Sequence, residues 1–300
     1  MGLENFANGP FGILIALALG RLLPPQAGYR LAEILGRRVA HNRESPTIRA
    51  VRLNQWVVSD CKANSGELDR ITEQVLINHG RSLYDYFRYF RDREATDKMI
   101  ILDESFKRVI AHSQMQDKAQ LLVMPHYANF DLASIAAANH GLVMQALSYP
   151  NPGRTYRWQN KLRDVAGVQV TPISMSSLRM AIQNLKNKKT VFTAVDRPIG
   201  DNSLKPLFFR KPSAVPTGYI KLAIKTETPI QVVLCNIMPD GKYLISVTNP
   251  LPIVKDNDPV QEQLINVHQV LHVVEDLIRS NPLHWSMFYP VWPDLMREMP

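Results

Sequence analysis

Short hydrophobic runs alternate with amphipathic segments through the middle of the chain. The clearest run, residues 121–124 (LLVM), ends at Pro125, and residues 129–138 then form a small-residue helical pattern with Asn129 as its N-cap. An apolar run bounded by turn residues predicts a buried strand, and alternation with helices predicts a parallel sheet. The further strands predicted in this region are 143–149, 168–173 and 190–196, and the intervening helices are 153–166 and 176–188.

The flanking segments complete an α/β prediction, with a mostly parallel central sheet and helices on its faces. Turn residues 239–241 (PDG) separate two apolar runs at 229–237 and 242–248, which predicts a hairpin closing one edge of the sheet. No linker or internal repeat divides the chain, so we expect one domain over residues 26–300. The remaining helices are predicted at 27–41, 46–60, 66–92, 214–226 and 258–280.

The N-terminus carries an apolar segment of a different kind, residues 11–19 (FGILIALAL). Spanning a bilayer takes about 20 apolar residues, so this segment is too short. The first ten residues contain no Lys or Arg, so we do not expect a secretory leader. We predict that residues 1–25 form a helix in the membrane interface, and a buried core helix is the alternative. The arginines expected beside lipid phosphates are Arg21, Arg30, Arg37 and Arg38.

Composition narrows the class of protein. The hydrophobic fraction of 45% and charged fraction of 21% are typical of a globular protein. A formal net charge of +8 favours anionic partners, either a membrane surface or a phosphorylated substrate. We expect no nucleic-acid partner, since no zinc-finger, RRM or long basic motif occurs. Cys61 and Cys235 predict neither a disulfide framework nor a metal site.

The candidate chemistry begins at His126, at the end of the strand 121–124. Asp131 follows in the first turn of the next helix, so a bend would let its carboxylate reach the imidazole. A histidine base held by an aspartate beside a helix N-terminus can take a proton from an attacking alcohol. His112 and Asp117 repeat the same spacing, but no strand delivers them to a pocket, so we interpret His112 as a surface residue.

A second group of polar residues follows the apolar strand 190–195. Parallel strands end at one edge of a sheet, so Asp196 and Arg197 are expected to face His126. Asp196 could orient the base, bind an acceptor hydroxyl, hold a neighbouring arginine or serve only the turn. Arg154, Arg179 and Arg197 are candidates for phosphate binding, because a guanidinium fork matches phosphate oxygens.

Four segments in a fixed order resemble a known family. PHYANFD (125–131) resembles the HxxxxD motif of the lysophospholipid acyltransferase superfamily, in the branch of lipid A late acyltransferases and phosphatidylinositol mannoside acyltransferases. The resemblance spans residues 115–293, and the chain departs from the pattern at Pro198, where members often carry a second Asp. The other similar segments are 178–200, 207–230 and the aromatic segment 284–293 (HWSMFYPVWP).

This resemblance implies a membrane-associated O-acyltransferase acting without a cofactor or metal. The acyl donor would be acyl-CoA or acyl-ACP, and the acceptor a hydroxyl of a lipid or glycolipid. His126 would be the general base and Asp131 its orienter, with Asp196 a third catalytic candidate. The expected location is the cytoplasmic face of the inner membrane, as a peripheral or monotopic protein. A non-catalytic lipid-binding or scaffold protein of the same fold is the alternative, whereas the absence of GxSxG disfavours a serine hydrolase.

Overall fold

The computed structural model describes residues 10–150, 153, 160, 167–199 and 204–300. The strands found there are β1 (Ile100–Leu102), β2 (Gln120–Met124), β3 (Met144–Ser148), β4 (Val168–Pro172), β5 (Thr190–Ala194), β6 (Leu207–Phe208), β7 (Lys211–Pro212), β8 (Ile230–Ile237) and β9 (Tyr243–Val247). Seven of them form one sheet in the order β1-β9-β8-β2-β5-β3-β4, and β6 and β7 form a small antiparallel pair. Among the described strands of the large sheet, only β8 and β9 pair in an antiparallel direction.

Helices cover this sheet and form an N-terminal layer beside it. Within the described residues they are α1 (Pro10–Leu22), α2 (Pro25–Ala40), α3 (Pro46–Val58), α4 (Ser65–Tyr89), α5 (Arg93–Met99), α6 (Glu104–Met115), α7 (Phe130–Asn139), α8 (Met175–Lys186), α9 (Gly218–Thr226) and α10 (Pro259–Ser280). The predicted class, α/β with a mostly parallel sheet flanked by helices, is confirmed. The helix predicted at 153–166 falls almost entirely outside the described residues.

Strand β2 lies in the middle of the sheet and explains the uninterrupted apolar pattern. It pairs in parallel with β5 on one side and β8 on the other, and all five of its residues are buried. A strand covered on both faces by helices needs apolar side chains at every position rather than at alternate ones. The sequence therefore predicted the central strand correctly.

Two boundary predictions need correction. The hairpin of β8 and β9 was expected to close the sheet, but β1 pairs in parallel with β9 and forms that edge. A strand of three residues, one of them exposed, carries too little pattern to be recognised in a sequence. The helix predicted from residue 214 begins at Gly218, because Pro216 disfavours helical backbone at the residue before it.

The N-terminal helices pack closely on α4 through small residues. A Cβ added to Gly28 would lie 2.1 Å from the Tyr84 ring, and one added to Gly36 would lie 2.9 Å from Ile77. Close backbone approach therefore requires glycine at both positions, and it turns the buried face of α2 into a row of small residues. Ile34 and Leu35 of α2 face outward instead. In the part of the chain that the structure describes, no helix combines the length and apolarity needed to cross a bilayer.

Candidate active site

The pairing of β2 with β5 determines where the candidate site lies. Their register joins Met124 to Ala194, an offset of 70 residues, and the Val195 N–H extends the ladder to the Met124 carbonyl at 3.2 Å. Two residues beyond the end of each strand, the same offset places His126 opposite Asp196. The structure therefore brings these two predicted residues together at the carboxyl edge of the sheet, where ligands bind in open α/β sheets.

Asp196 is fully buried and accepts three hydrogen bonds. His126 Nδ1 lies 2.7 Å from Oδ1, while Oδ2 accepts from the His126 backbone N–H at 2.7 Å and from Trp285 Nε1 at 2.8 Å. Because an ionised carboxylate only accepts hydrogen bonds, the neutral imidazole carries its proton on Nδ1. Nε2 is then the basic nitrogen of a partly exposed ring.

The chain turns sharply between β2 and α7 to present His126. Ala128 at this turn has a φ of +51°, which is unfavourable for a residue with a Cβ. The C-terminal segment secures the turn by backbone hydrogen bonds, from the Ser286 N–H to the His126 carbonyl and from the Ala128 N–H to the His284 carbonyl, both at 2.9 Å. Tertiary contacts thus hold a turn that is not stable by itself.

Asp131 lies in the first turn of α7, as predicted, and Asn129 caps that helix through the Leu132 N–H at 3.2 Å. The contact that fixes the His126 tautomer was expected from Asp131, but Nδ1 is bonded to Asp196. Asp196, 70 residues further along the chain, makes this contact instead, because the register of β2 and β5 places it opposite His126. The catalytic part of Asp131 stays a prediction.

His79 on α4 is a neighbour of the site that sequence reasoning missed. Its Nδ1 lies 3.2 Å from Ser286 Oγ. Burial lowers the pKa of His79 to about 4, with the charge of Asp131 opposing this shift and that of His126 adding to it. The ring is therefore neutral at pH 7, within electrostatic reach of both His126 and Asp131. Nothing in the pattern of α4 distinguishes this histidine from a core residue.

Arg197 stands between two aromatic rings. Its guanidinium carbon lies 4.1 Å from the centre of the Tyr149 ring and 4.0 Å from that of Tyr289, and its Nη2 donates to Tyr289 Oη at 2.7 Å. Arg179 is exposed on α8, which begins just after the carboxyl end of β4. Arg154 lies outside the described residues.

An apolar cavity of about 30 Å³ lies behind Phe130. Phe130 lines it and also contacts the His126 ring edge-on, with ring centres 5.1 Å apart. Met124, Ala133 and Phe192 line it as well, so it lies between the sheet and α7. No three metal-binding side chains of the His, Cys, Asp or Glu types come together in the described ranges.

Comparison with known proteins finds relatives that are named as acyltransferases. The chain is similar to phosphatidylinositol mannoside acyltransferases of Mycobacterium tuberculosis strains CDC 1551 / Oshkosh and ATCC 25618 / H37Rv, at 26% identity over 166 residues, 51% of this chain and 52% of each relative. The Mycolicibacterium smegmatis protein of that name is 22% identical over 183 residues, covering 58% of this chain and 57% of the relative. The chain thus spans about half the length of the curated relatives it matches.

The family assignment rests on a longer match. The model of the bacterial lipid A biosynthesis acyltransferase family aligns with residues 9–293, which include β2, β5 and the C-terminal segment that meet at His126. The chain belongs to the bacterial lipid A biosynthesis acyltransferase family.

Proposed function

We propose that the protein transfers an acyl group from a thioester, acyl-CoA or acyl-ACP, to a hydroxyl of a lipid or glycolipid. The observation that carries this proposal is the pair of His126 and Asp196, in which the buried carboxylate fixes the Nδ1 proton. Family membership and the similarity to phosphatidylinositol mannoside acyltransferases support the reaction type and the acceptor class.

His126 acts as the general base in this mechanism. Its Nε2 takes the proton of the acceptor hydroxyl as the oxygen attacks the thioester carbonyl, and Asp196 stabilises the resulting imidazolium. The tetrahedral intermediate then collapses as the C–S bond breaks, and the imidazolium returns the proton to the leaving thiolate. The new C–O bond forms directly, so the reaction needs no acyl-enzyme.

Two further features would serve the substrates. The N-terminus of α7, beginning at Phe130 and carrying a partial positive charge, would stabilise the oxyanion of the intermediate. The cavity is apolar, and Phe130 lines it and contacts the His126 ring, so the first carbons of an acyl chain would enter there as its walls move apart. Asp131, in the same helical turn, would act electrostatically on the imidazolium rather than through Nδ1.

The arginines would bind the phosphates of the donor or lipid headgroup. Arg197 suits this role because Tyr149 and Tyr289 hold its guanidinium plane in place, which reduces the entropy lost on binding. We assign Arg179, and Arg154 outside the described residues, to the same role.

Arg197→Ala would then raise the KM for the phosphorylated substrate more than it lowers kcat, and the reverse split would place Arg197 elsewhere in the mechanism.

We also propose that α1 and α2 bind the cytoplasmic face of the inner membrane. Leu22, Ile34 and Leu35 are 78%, 62% and 42% exposed, and Arg21 and Arg38 are exposed on the same two helices. Apolar residues beside basic ones favour an anionic interface. The small-residue packing of α2 on α4 explains why its larger apolar residues remain outside.

Liposome flotation tests the membrane proposal. Deletion of residues 1–24, and separately Ile34→Ser with Leu35→Ser, should reduce binding to vesicles containing anionic lipid. Leu207→Ser with Val260→Ser is the matched control, since these residues are 50% and 52% exposed but lie outside α1 and α2. Equal flotation of all variants would place the membrane contact elsewhere.

A transfer assay tests the catalytic proposal. Labelled acyl-CoA and acyl-ACP are supplied in parallel with phosphatidylinositol mannoside and lipid A precursors as acceptors. A labelled, alkali-labile lipid ester that disappears in His126→Ala is expected. Lipid binding without any product, from either donor, would favour the non-catalytic lipid-binding alternative.

A further inference from the structure

The aromatic segment at residues 284–292 approaches the candidate base more closely than its distance along the chain indicates. Tyr127 and Trp285 form an antiparallel bridge, so the backbone of this segment runs along the turn that presents His126. The Trp285 side chain then reaches under the turn, and its indole N–H donates to Asp196 Oδ2 at 2.8 Å. This is the only side-chain donor on Oδ2 among the described residues.

The surroundings of Trp285 hold this indole in one orientation. The side chain is 1% exposed and stacks on Phe209, with ring centres 6.4 Å apart and planes 28° apart. Phe208 and Trp292 meet it edge-on at 6.1 and 6.2 Å. A ring packed on several sides directs its N–H with little freedom, so the carboxylate that receives the bond is fixed as well.

We propose that Trp285 is a positioning residue for His126, acting through Asp196. With Oδ2 engaged by Trp285 and by the His126 backbone, the carboxylate keeps Oδ1 directed at Nδ1. The indole N–H also shares the negative charge of the carboxylate, so less of that charge acts on His126. The inference rests on the proposed function only in taking His126 as the base.

Trp292 supplies a matched control for the test. It belongs to the same aromatic cluster and is also 1% exposed, stacking on Phe208 with ring centres 5.5 Å apart. Its indole N–H has no hydrogen-bond partner within the described part of the chain. Replacing either tryptophan with Phe removes similar packing, but only the change at Trp285 removes a donor from the dyad.

The experiment is an NMR titration of the intact protein labelled at histidine Cε1, with the His126 signal assigned by its loss in His126→Gln. Loss of the donor leaves more negative charge on the carboxylate. This favours the protonated pair relative to the deprotonated pair, whichever residue holds the proton. Trp285→Phe is therefore expected to raise the apparent pKa of the pair by about 0.5–1 unit. Trp292→Phe should leave it unchanged, and the acid limb of the kcat/KM profile should follow the NMR result.

A second substitution covers the case in which Trp285→Phe fails to fold. Replacing Trp285 with 3-benzothienylalanine retains the bicyclic ring but has sulfur in place of the N–H. An apparent pKa raised in this protein and not in Trp292→Phe supports the inference, and titrations identical to Trp292→Phe overturn it. The titration is independent of turnover, whereas full activity in His126→Ala would refute the proposed function alone.

Discussion

Two His–Asp pairs of this protein share a spacing in the sequence but not a structure. His112 and Asp117, at the end of α6, contact one another directly, with Nδ1 at 2.9 and 3.1 Å from the two carboxylate oxygens. His126 and Asp131 have the same spacing, yet His126 Nδ1 bonds to Asp196. The local pair is exposed, whereas the long-range pair includes a fully buried carboxylate.

The difference shows that spacing identifies the histidine but not its partner. At a helix end, five residues suffice for a carboxylate to fold back onto the ring, and Gln116 in the left-handed region makes that turn. At the end of β2 the chain enters a new helix, and the adjacent parallel strand supplies the carboxylate. Burial makes the pair of His126 and Asp196 chemically distinct from the exposed pair, since a buried carboxylate acts on its partner with little screening by water.

The largest expected effect comes from the two histidines. His126→Ala removes the base and should lower kcat by about 10²–10⁴-fold, while thermal unfolding stays close to that of the wild-type protein. His112→Ala has the same spacing to an Asp and is the matched control, which should retain wild-type turnover. Steady-state acyl transfer measures both, and comparable losses would mean that the comparison between the pairs is wrong.

The two acidic partners provide the next test. Asp196→Asn keeps the shape of the side chain but leaves one oxygen to serve the three donors around it, so kcat should fall by about 10²-fold. Asp131→Asn removes a nearby charge without disturbing Nδ1 and should cost less. The kcat values of the two variants show which carboxylate orients the imidazole. A greater loss in Asp131→Asn would return the orienting role to the residue that the spacing indicated.

The central sheet could be predicted from the sequence because its strands are uninterrupted apolar runs. The strand at 121–124 is apolar throughout, and the strand before Asp196 has the same character, so their shared edge could be predicted. The register that places His126 opposite Asp196 depends on tertiary pairing, which no local pattern encodes. Strand β1 was missed for a related reason, since three residues cannot display a period.

Trp285 and His79 lay beyond prediction for a different reason. Aromatic residues at 284–292 fit core packing equally well, and only the fold shows that one indole N–H meets a carboxylate. His79 lies in α4, whose apolar pattern reflects its packing on α2 and α3. Both residues reach the site from elements distant in sequence, so contacts across the fold, rather than motifs, define the surroundings of the base.

A third carboxylate extends the comparison from activity to stability. Asp85 is buried between Tyr29 and Tyr243, whose hydroxyls donate to it at 2.8 and 2.9 Å. Burial raises the pKa of Asp85 to about 6, and the two hydroxyl hydrogen bonds act against this rise. Between its unfolded pKa of about 4 and this folded value, the folded state binds the additional proton, so stability falls as the pH rises.

Asp85→Asn should remove this dependence, because the amide does not titrate. The wild-type protein should lose on the order of 3 kcal/mol more than the variant between pH 4 and pH 7. Urea unfolding at several pH values in that window measures the difference. Parallel stability curves for the two proteins would show that Asp85 is already well solvated or otherwise compensated.

The smallest expected effect belongs to Asp117, where the sign is reversed. Slight desolvation raises the pKa of Asp117, but the hydrogen bond and charge of His112 outweigh it, so the pKa lies below its ordinary value. The pair therefore stabilises the fold above the unfolded pKa of about 4, and this contribution is lost as the pH falls through the folded value. Because both side chains are reached by water, Asp117→Asn should lower the free energy of unfolding only slightly at pH 7 and not at all near pH 3. Urea unfolding of this variant beside Asp85→Asn should show opposite trends with pH. A large loss at pH 7, or any loss of acyl transfer, would mean that the exposed pair has a role that its position does not indicate.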